Sequence, residues 1–226
     1  MHDPIPDESQ PGRPAFVSVG GIFVDDIVYP DGTVRMGVLG GGVSHAAAGM
    51  RIWGQRAGLI ACAGRDLPET ARSRLVRDFD LAGMIWLDLP QVRAWQLFEW
   101  DGRRREIYRV DVLHPFIYDP PAEEAPSVYD DAAALYLLRD AAPLPGWRAR
   151  YPDAVLLWEP LQQYMLPENA AEFRAHVRHV DIVSPNWLEA GAVYGFDAPE
   201  RLVRAMLDDG APVAALRMGE AGSMVG

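Results

Sequence analysis

The sequence predicts an α/β fold: a three-layer sandwich with a mostly parallel central sheet, helices on both faces and a small projecting β lid. Short apolar runs recur along the chain with helical patterns between them, and runs that are apolar on both sides are typical of strands in a buried parallel sheet. Two other segments alternate polar and apolar residues beside Asp-Gly turns, which indicates a small exposed antiparallel sheet. Finally, 49% of the 226 residues are hydrophobic, which is enough for one sizeable core.

The central sheet and its helices follow from these runs. A helix is predicted over Glu69–Asp80, another over Glu168–Val180, and a third after Asp197, which has capping-box spacing to Glu200 and ends at Gly210. The alternation of strands and helices predicts the layered α/β architecture. The predicted central strands are Phe16–Val19, Leu59–Ala63, Ala133–Leu138, Val155–Trp158, Ile182–Ser184 and Val213–Leu216.

The lid is predicted from two stretches, around residues 32–38 and 95–110. Trp95–Glu99 and Glu106–Val110 alternate around Asp101-Gly102, a strong hairpin signal, and Thr33–Val38 follows another Asp-Gly pair. Residues 1–14 are polar and proline-rich without an apolar stretch, so we expect a disordered tail there and one domain over residues 15–226.

Charge and composition exclude several partners. The chain has 32 acidic and 21 basic residues, and a net charge of −11 should repel nucleic acid and anionic membrane surfaces. No apolar run approaches the roughly 20 residues needed to cross a bilayer, and the N-terminal tail does not have the pattern of a secretion signal. The lone cysteine, Cys62, cannot form an internal disulfide. We therefore expect a cytoplasmic protein.

Every basic residue is arginine, and the chain contains no lysine. A P-loop requires a lysine on the phosphates, a protein kinase requires its strand lysine, and Schiff-base chemistry requires an amine that can lose its proton. These mechanisms are excluded. If the protein handles ATP, it must use backbone amides, arginines and metal.

A glycine-rich segment predicts a ligand site. An apolar strand ends in Asp25 and Asp26, and Gly40-Gly41-Gly42 opens a helix. Glycines let a ligand approach the backbone closely, a helix start offers unpaired amides, and a carboxylate can accept two hydroxyl protons. Together they indicate a small, hydroxyl-rich ligand. A dinucleotide fingerprint is disfavoured because His45 occupies the position of its last glycine.

The same segment leaves a hydrolase open. Gly42-Val43-Ser44-His45-Ala46 resembles a relaxed nucleophile elbow, with Ser44 as nucleophile, and would need a histidine later in the chain. His176 and His179 are available, but they lie on a charged helix where solvent exposure is the plain interpretation. That interpretation also disfavours a metal site at these histidines, because no third ligand is near.

Several segments, in order, resemble the ribokinase-like (PfkB) carbohydrate kinase family. The resemblance implies a sugar-like small-molecule substrate held by Asp25, Gly41, Gly42, His45 and Arg109. It implies ATP and Mg²⁺ as cofactors, with ATP held by Asn186, Glu189, Arg217, Gly219 and Gly222 and with Glu189 acting indirectly on the metal. The segments that carry it are Gly20–Asp25, Gly40-Gly41 with His45 and Ala47, Gly58–Asp66, Asn186 with Glu189 after Ser184-Pro185, and Arg217–Gly222.

Three departures from the family pattern stand out. His45 replaces the usual asparagine, Arg217 stands where many members have threonine, and no Gly-Ala-Gly-Asp helix start follows Gly222. In the family that helix start supplies the anion hole and the catalytic base. We therefore expect the base beyond Gly226, an incomplete, C-terminally truncated kinase domain over residues 15–226, and little activity from this chain alone.

The expected function is ATP-dependent phosphorylation of a hydroxyl on a sugar, sugar acid or nucleoside. Arg109 is similar to a lid arginine of relatives that take sugar acids, and the lid is also where two copies would pair as a homodimer. Two alternatives remain: a non-catalytic binding relative, for which His45 is the best hint, and a serine hydrolase built on Ser44. The kinase hypothesis requires Asp25 and the glycine turn to share one cleft with Asn186 and Glu189.

Overall fold

The computed structural model describes residues 13–101, 103–109 and 120–226. The predicted tail, apart from its last two residues, lies outside this part of the chain, as do Gly102 of the hairpin turn and Val110. No helix in the described ranges combines the length and apolar character that a membrane span requires.

Two sheets make up the β structure of the described residues. The strands are β1 (Phe16–Gly21), β2 (Phe23–Val28), β3 (Val34–Gly40), β4 (Ala57–Gly64), β5 (Asp80–Leu87), β6 (Arg93–Phe98), β7 (Arg104–Tyr108), β8 (Ala134–Arg139), β9 (Val155–Pro160), β10 (Ile182–Val183), β11 (Val213–Arg217) and β12 (Ser223–Val225). The helices are α1 (Gly42–Ile52), α2 (Glu69–Asp78), α3 (Leu144–Arg150), α4 (Ala170–His176), α5 (Trp187–Tyr194) and α6 (Pro199–Asp208).

The central sheet has the strand order β12-β11-β10-β9-β8-β1-β4-β5. Every pairing in it is parallel except that of β12, which runs antiparallel to β11. The second sheet has the order β3-β2-β6-β7 and forms the lid. The predicted α/β architecture with a mostly parallel sheet and a separate small sheet is therefore confirmed.

Helices cover both faces of the central sheet. On β4, Leu59, Ala61 and Ala63 pack into a core cluster shared with α1 and α2, whereas Ile60 packs into the larger cluster that includes the buried residues of α3 to α6. Successive side chains of a strand point to opposite faces, so the two clusters lie on opposite sides of the sheet. This is why the strand is apolar throughout.

The first predicted strand is in fact two strands. The strand is interrupted at Ile22, so that β1 lies in the centre of the main sheet while β2 belongs to the lid. Asp25 and Asp26 are therefore lid residues and do not end a central strand. The lid is also not wholly antiparallel, because β2 pairs with β6 in parallel. A continuous apolar pattern cannot reveal a strand that leaves one sheet and joins another.

Two smaller predictions are corrected. The capping box of Asp197 and Glu200 is absent, since α6 has Ala198 as its N-cap residue with no side-chain cap, and the Asp197 carbonyl instead accepts the indole N–H of Trp187. The helix predicted over Glu69–Asp80 ends at Asp78, and β5 follows directly as a strand that the sequence analysis did not identify.

Candidate active site

One cleft of about 510 Å³ lies between the lid, the start of α1 and the carboxyl ends of the central strands. It brings together seven of the predicted site residues: Asp25, Gly41, Gly42, His45, Asn186, Glu189 and Arg217. The required common cleft is therefore present. The remaining lining residues are Phe23, Gln96, Arg104, Glu106, Tyr108, Leu138, Glu159, Pro160, Leu161, Gln162, Gln163 and Leu188.

Strand register places the polar residues of the lid on one face. Asp25 on β2 pairs with Ala94 on β6, and Gln96 lies two residues further along the same strand. Gln96 in turn lies directly opposite Glu106 on β7. Side chains two apart, or directly opposite, share a face of a sheet, so Asp25, Gln96 and Glu106 all point into the cleft.

Gln96 connects two carboxylates. Its Nε2 group donates to Asp25 Oδ1 at 3.0 Å and to Glu106 Oε1 at 2.7 Å. Glu106 also accepts a hydrogen bond from the Tyr108 hydroxyl at 3.2 Å. Because both neighbours of the amide are acceptors, its nitrogen must face them, and Gln96 Oε1 is left buried without a partner among the described residues.

The lid face is electrostatically unfavourable for negative charge. Burial raises the pKa of Asp25, and the charge of Glu106 raises it further against the lowering effect of the Gln96 hydrogen bond. Burial and the adjacent Glu106 likewise raise the pKa of Tyr108 to about 12, so the phenol keeps its proton at neutral pH. The site therefore favours a ligand that brings hydrogen-bond donors.

Arg109 lies on the opposite side of the lid, away from the described cleft wall. It forms an ion pair with Asp26, which Arg93 also contacts at 2.9 Å, and its guanidinium lies over the Trp95 ring at 4.8 Å. The Asp26 side chain is fully buried. The predicted contact of Arg109 with a substrate carboxylate does not fit this arrangement, because successive residues of a strand alternate between faces.

The start of α1 requires glycine. A Cβ on Gly41, whose φ is +90°, would lie 2.2 Å from the Gly21 carbonyl oxygen, and one on Gly40 would lie 2.1 Å from Asp25 Oδ2. The turn therefore lets Asp25 and the helix N-terminus approach each other closely, as predicted. His45, in the first turn, is exposed and lines the cleft.

The arrangement of Ser44 contradicts the hydrolase hypothesis. The side chain is 4% exposed, and its hydroxyl bonds to the carbonyl oxygens of Gly40 and Gly41 at 3.1 and 2.9 Å. A nucleophilic serine must present its oxygen to a substrate and donate to a base. Ser44 instead donates to the preceding turn of backbone. The imidazole of His176 lies 2.8 Å from the Glu172 carbonyl on its own helix.

The other end of the cleft is built on α5 and the ends of two strands. Asn186 and Glu189 form a reciprocal capping box: Asn186 Oδ1 accepts the Glu189 amide at 2.8 Å, and Glu189 Oε2 accepts the Asn186 amide at 3.1 Å. The backbones of Asn186 and Arg217 are bridged, which fixes the last residue of β11 against the start of α5. Burial raises the pKa of Glu189.

Glu159 completes this end of the cleft, and the sequence analysis did not identify it. It follows the buried Trp158 on β9, accepts a hydrogen bond from the Tyr136 hydroxyl at 2.6 Å, and pairs with Arg217 at 2.8 Å. The sequence does contain a signal for Glu159, which is a carboxylate at the carboxyl end of a predicted central strand. Ligands of parallel α/β sheets bind beyond those strand ends.

Gly219 and Gly222 do not contribute to the described cleft wall. Gly219 begins a 3-10 turn and Gly222 follows it, with φ values of +59° and +89°, and the Gly222 carbonyl accepts the Met218 amide at 2.8 Å. In this chain they shape the connection between β11 and β12. Their predicted contact with a nucleotide stays a prediction.

The donor groups at this end fit a magnesium–phosphate complex. Mg²⁺ prefers oxygen ligands and normally takes one or two protein carboxylates together with water and phosphate oxygens. Glu159 and Glu189 supply such carboxylates, and Arg217 supplies a cation suited to phosphate. The described residues contain no group of three or more His, Cys, Asp or Glu side chains arranged to hold a metal on their own.

Sequence similarity to known proteins is limited. No protein-family model matches the chain. Uncharacterized protein C16C9.01c of Schizosaccharomyces pombe is 25% identical over an alignment of 207 residues, which covers 84% of this chain and 55% of that protein. The chain thus spans about half the length of this curated relative.

Solved structures give the fold. A ribokinase II from E. coli in complex with ATP and Mg²⁺ superposes with a TM-score of 0.71 at 18% identity, covering 93% of this chain and 74% of the other. The fructokinase of Halothermothrix orenii gives a TM-score of 0.71 at 17% identity, covering 93% of this chain and 82% of the other. The chain therefore has the ribokinase-like fold.

Proposed function

We propose that this chain provides the acceptor site and part of the nucleotide site of an ATP-dependent kinase that phosphorylates a hydroxyl group of a small sugar-like or nucleoside substrate. The observation that carries the proposal is the single cleft in which the lid carboxylates and the α1 glycine turn face Asn186, Glu189 and Arg217. A phosphoryl transfer enzyme needs an acceptor and a phosphate donor held in one cavity, because its catalysis is largely positioning and charge stabilisation.

The acceptor end would bind hydroxyl groups. Asp25 is held in place by Gln96 and by its close approach to Gly40, so its free oxygen atoms can accept hydrogen bonds from a polyol without rearrangement. The first amides of α1, beside Gly41 and Gly42, provide donors on the opposite side of the same ligand. Phe23 and Leu138 supply apolar wall between these polar groups.

The donor end would bind the phosphates. Arg217 is the cation positioned for phosphate oxygens, and Glu159 and Glu189 would hold the metal through its waters, with Glu189 fixed by the capping box. When bound, Mg²⁺ neutralises charge on the phosphates. The proton acceptor for the attacking hydroxyl is expected, from the family resemblance, in a Gly-Ala-Gly-Asp helix start that these 226 residues do not contain.

The test is made with the complete reading frame that contains this chain. We expect ADP release that depends on Mg²⁺ and on a polyol from a panel of hexoses, pentoses and nucleosides. Asp25→Asn should lower kcat/KM by about a hundredfold or more, because it removes a charged hydrogen-bond acceptor from the acceptor site.

The matched control is Asp88→Asn, which changes an exposed aspartate outside the cleft and should leave kcat/KM unchanged. Polyol binding without any ADP release would instead support the non-catalytic relative. Absence of both binding and turnover across the panel would refute the proposed function.

A further inference from the structure

The acceptor face of the lid has more acceptors than a neutral sugar needs. Asp25 and Glu106 present two carboxylates to the cleft, and both bond to the same nitrogen of Gln96. Two negative charges this close repel each other, and the charge of Glu106 adds to burial in raising the pKa of Asp25. A ligand that brings a positive charge between them would relieve this repulsion.

Gln96 gives an independent indication of a ligand donor. Its side chain lines the cleft and is 5% exposed, yet Oε1 has no hydrogen-bond partner in the described part of the chain. A buried amide oxygen without a partner is costly, and such groups in native structures are normally satisfied by a ligand or water. The orphaned oxygen belongs to the same side chain whose nitrogen joins the two carboxylates.

The protein's own cations offset only part of this negative charge: burial and Glu106 leave the pKa of Asp25 raised, although the charges of His45 and Arg104 lower it. Arg104 is exposed, and its guanidinium reaches across to Gln162 Oε1 at 3.5 Å. Arg93 and Arg109 form ion pairs with Asp26 on the opposite face of the lid. His45 also lines the cleft, and it is exposed at the start of α1.

We propose that the acceptor is a hydroxyl-rich compound carrying a primary amine, and that its ammonium group binds the carboxylates of Asp25 and Glu106 on the cleft face of the lid. An ammonium can donate to both carboxylates and carries a charge that offsets theirs, whereas a hydroxyl brings one donor and no charge. Glu106 is then the residue that sets specificity, and it selects against sugar acids. The inference rests on the proposed function, because it assumes that the cleft binds a polyol acceptor.

Direct binding tests the proposal without requiring turnover. Calorimetry at neutral pH would compare hexoses with an amine at carbon 2, 3 or 6 against the parent hexose and against the corresponding uronic acid. At least one aminohexose should bind about tenfold more tightly than its parent, as expected for a charge-assisted pair in a partly buried site, and the uronic acid should bind most weakly.

Two variants localise the effect. Glu106→Gln should reduce the preference for the amine to less than about threefold, and Glu106→Lys should reverse the order so that the uronic acid binds more tightly than the aminohexose. The control, Glu99→Gln, removes an exposed carboxylate from the same hairpin but outside the cleft, and should keep the wild-type order.

The outcomes separate this inference from the proposed function. If the parent hexose binds the wild-type protein as tightly as every aminohexose, the inference is wrong while the kinase proposal stands. If no polyol of any charge binds, the proposed function fails and the inference with it. The wild-type comparison alone decides this, so the conclusion does not depend on the folding of the variants.

Discussion

Two adjacent aspartates on β2 have opposite environments. Asp25 faces the cleft, where burial raises its pKa, whereas Asp26 faces the other side of the lid. Burial would raise the pKa of Asp26 too, but hydrogen bonds from Arg93, the Gly37 amide and Arg109 outweigh it and hold the pKa below its ordinary value. The strand thus directs one carboxylate into the cleft and pairs the next with arginines on the opposite face of the lid.

Replacing Asp26 by alanine should therefore destabilise the protein strongly. Removing the buried carboxylate leaves two partly exposed arginines without their anion, and we expect the free energy of unfolding to fall by about 2–3 kcal/mol at neutral pH. Urea denaturation followed by tryptophan fluorescence measures this change. A loss no larger than that of the exposed control Asp88→Asn, which should stay within about 0.5 kcal/mol, would show that Asp26 does not anchor the lid.

The same variant has a defined pH dependence. Since the folded-state pKa of Asp26 is lowered, its contribution to stability is complete above the unfolded-state pKa and is lost as pH falls through the folded-state value. The difference between wild type and Asp26→Ala should accordingly be constant around neutrality and shrink in strong acid. A difference that grows on acidification would contradict the assigned shift.

At the level of elements, the start of α1 tolerates less change than its middle. Gly41 has a φ of +90° and no room for a side chain, whereas Gly49, within the same helix, has no atom within 4 Å of an added Cβ and no positive φ. The two glycines look alike in the sequence. Their difference arises from the contact of Gly41 with the Gly21 carbonyl oxygen on β1.

Alanine substitutions at Gly41 and Gly49 should change the stability of the protein in opposite directions. Gly41→Ala should lower the free energy of unfolding by about 2 kcal/mol or more, from backbone strain and from the clash with β1. Gly49→Ala should raise it by about 0.5–1 kcal/mol, because alanine loses less backbone entropy in a helix. Thermal denaturation of both variants gives the comparison, and equal effects of the same sign would invalidate the described geometry of the turn.

The elements also show what the sequence could and could not predict. The central strands were predictable because residues such as Leu59 to Ala63 are apolar on both faces, a pattern that only a covered parallel sheet explains. The lid hairpin was predictable from Asp-Gly, but not which residues it directs into the cleft. Gln96 and Glu106 could be identified as site residues only from the register of β2 against β6 and of β6 against β7. The pairing of β2 with β6 joins distant parts of the chain, which the sequence pattern does not show.

Across the whole molecule, the cleft and the chain carry the same sign of charge. Among the described residues, four carboxylates line the cleft, those of Asp25, Glu106, Glu159 and Glu189, against the two arginines Arg104 and Arg217. The chain as a whole has a net charge of −11. A free nucleotide triphosphate is therefore repelled at long range and within the site, and a cation must accompany it.

Nucleotide binding should consequently depend on divalent metal. We expect a non-hydrolysable ATP analogue to bind at least about tenfold more tightly with Mg²⁺ than with EDTA, a difference of about 1.4 kcal/mol. Calorimetry at constant ionic strength measures it, with Mg²⁺ alone as the control titration. Equal affinity in both buffers would show that Arg217 and the backbone suffice for the phosphates.

The connection at Ile22 is tied to the end of a central strand. The buried Gln91, which lies between β5 and β6, donates from its amide nitrogen to the Ile22 carbonyl at 2.8 Å, and its side-chain oxygen accepts the Gly64 amide of β4 at 2.8 Å. Two of the connections between the sheets, at Ile22 and at Gln91, are therefore joined to β4. A rotation of the lid about this point would carry Asp25, three residues from Ile22, through a short arc and Glu106, on the edge strand β7, through a long one.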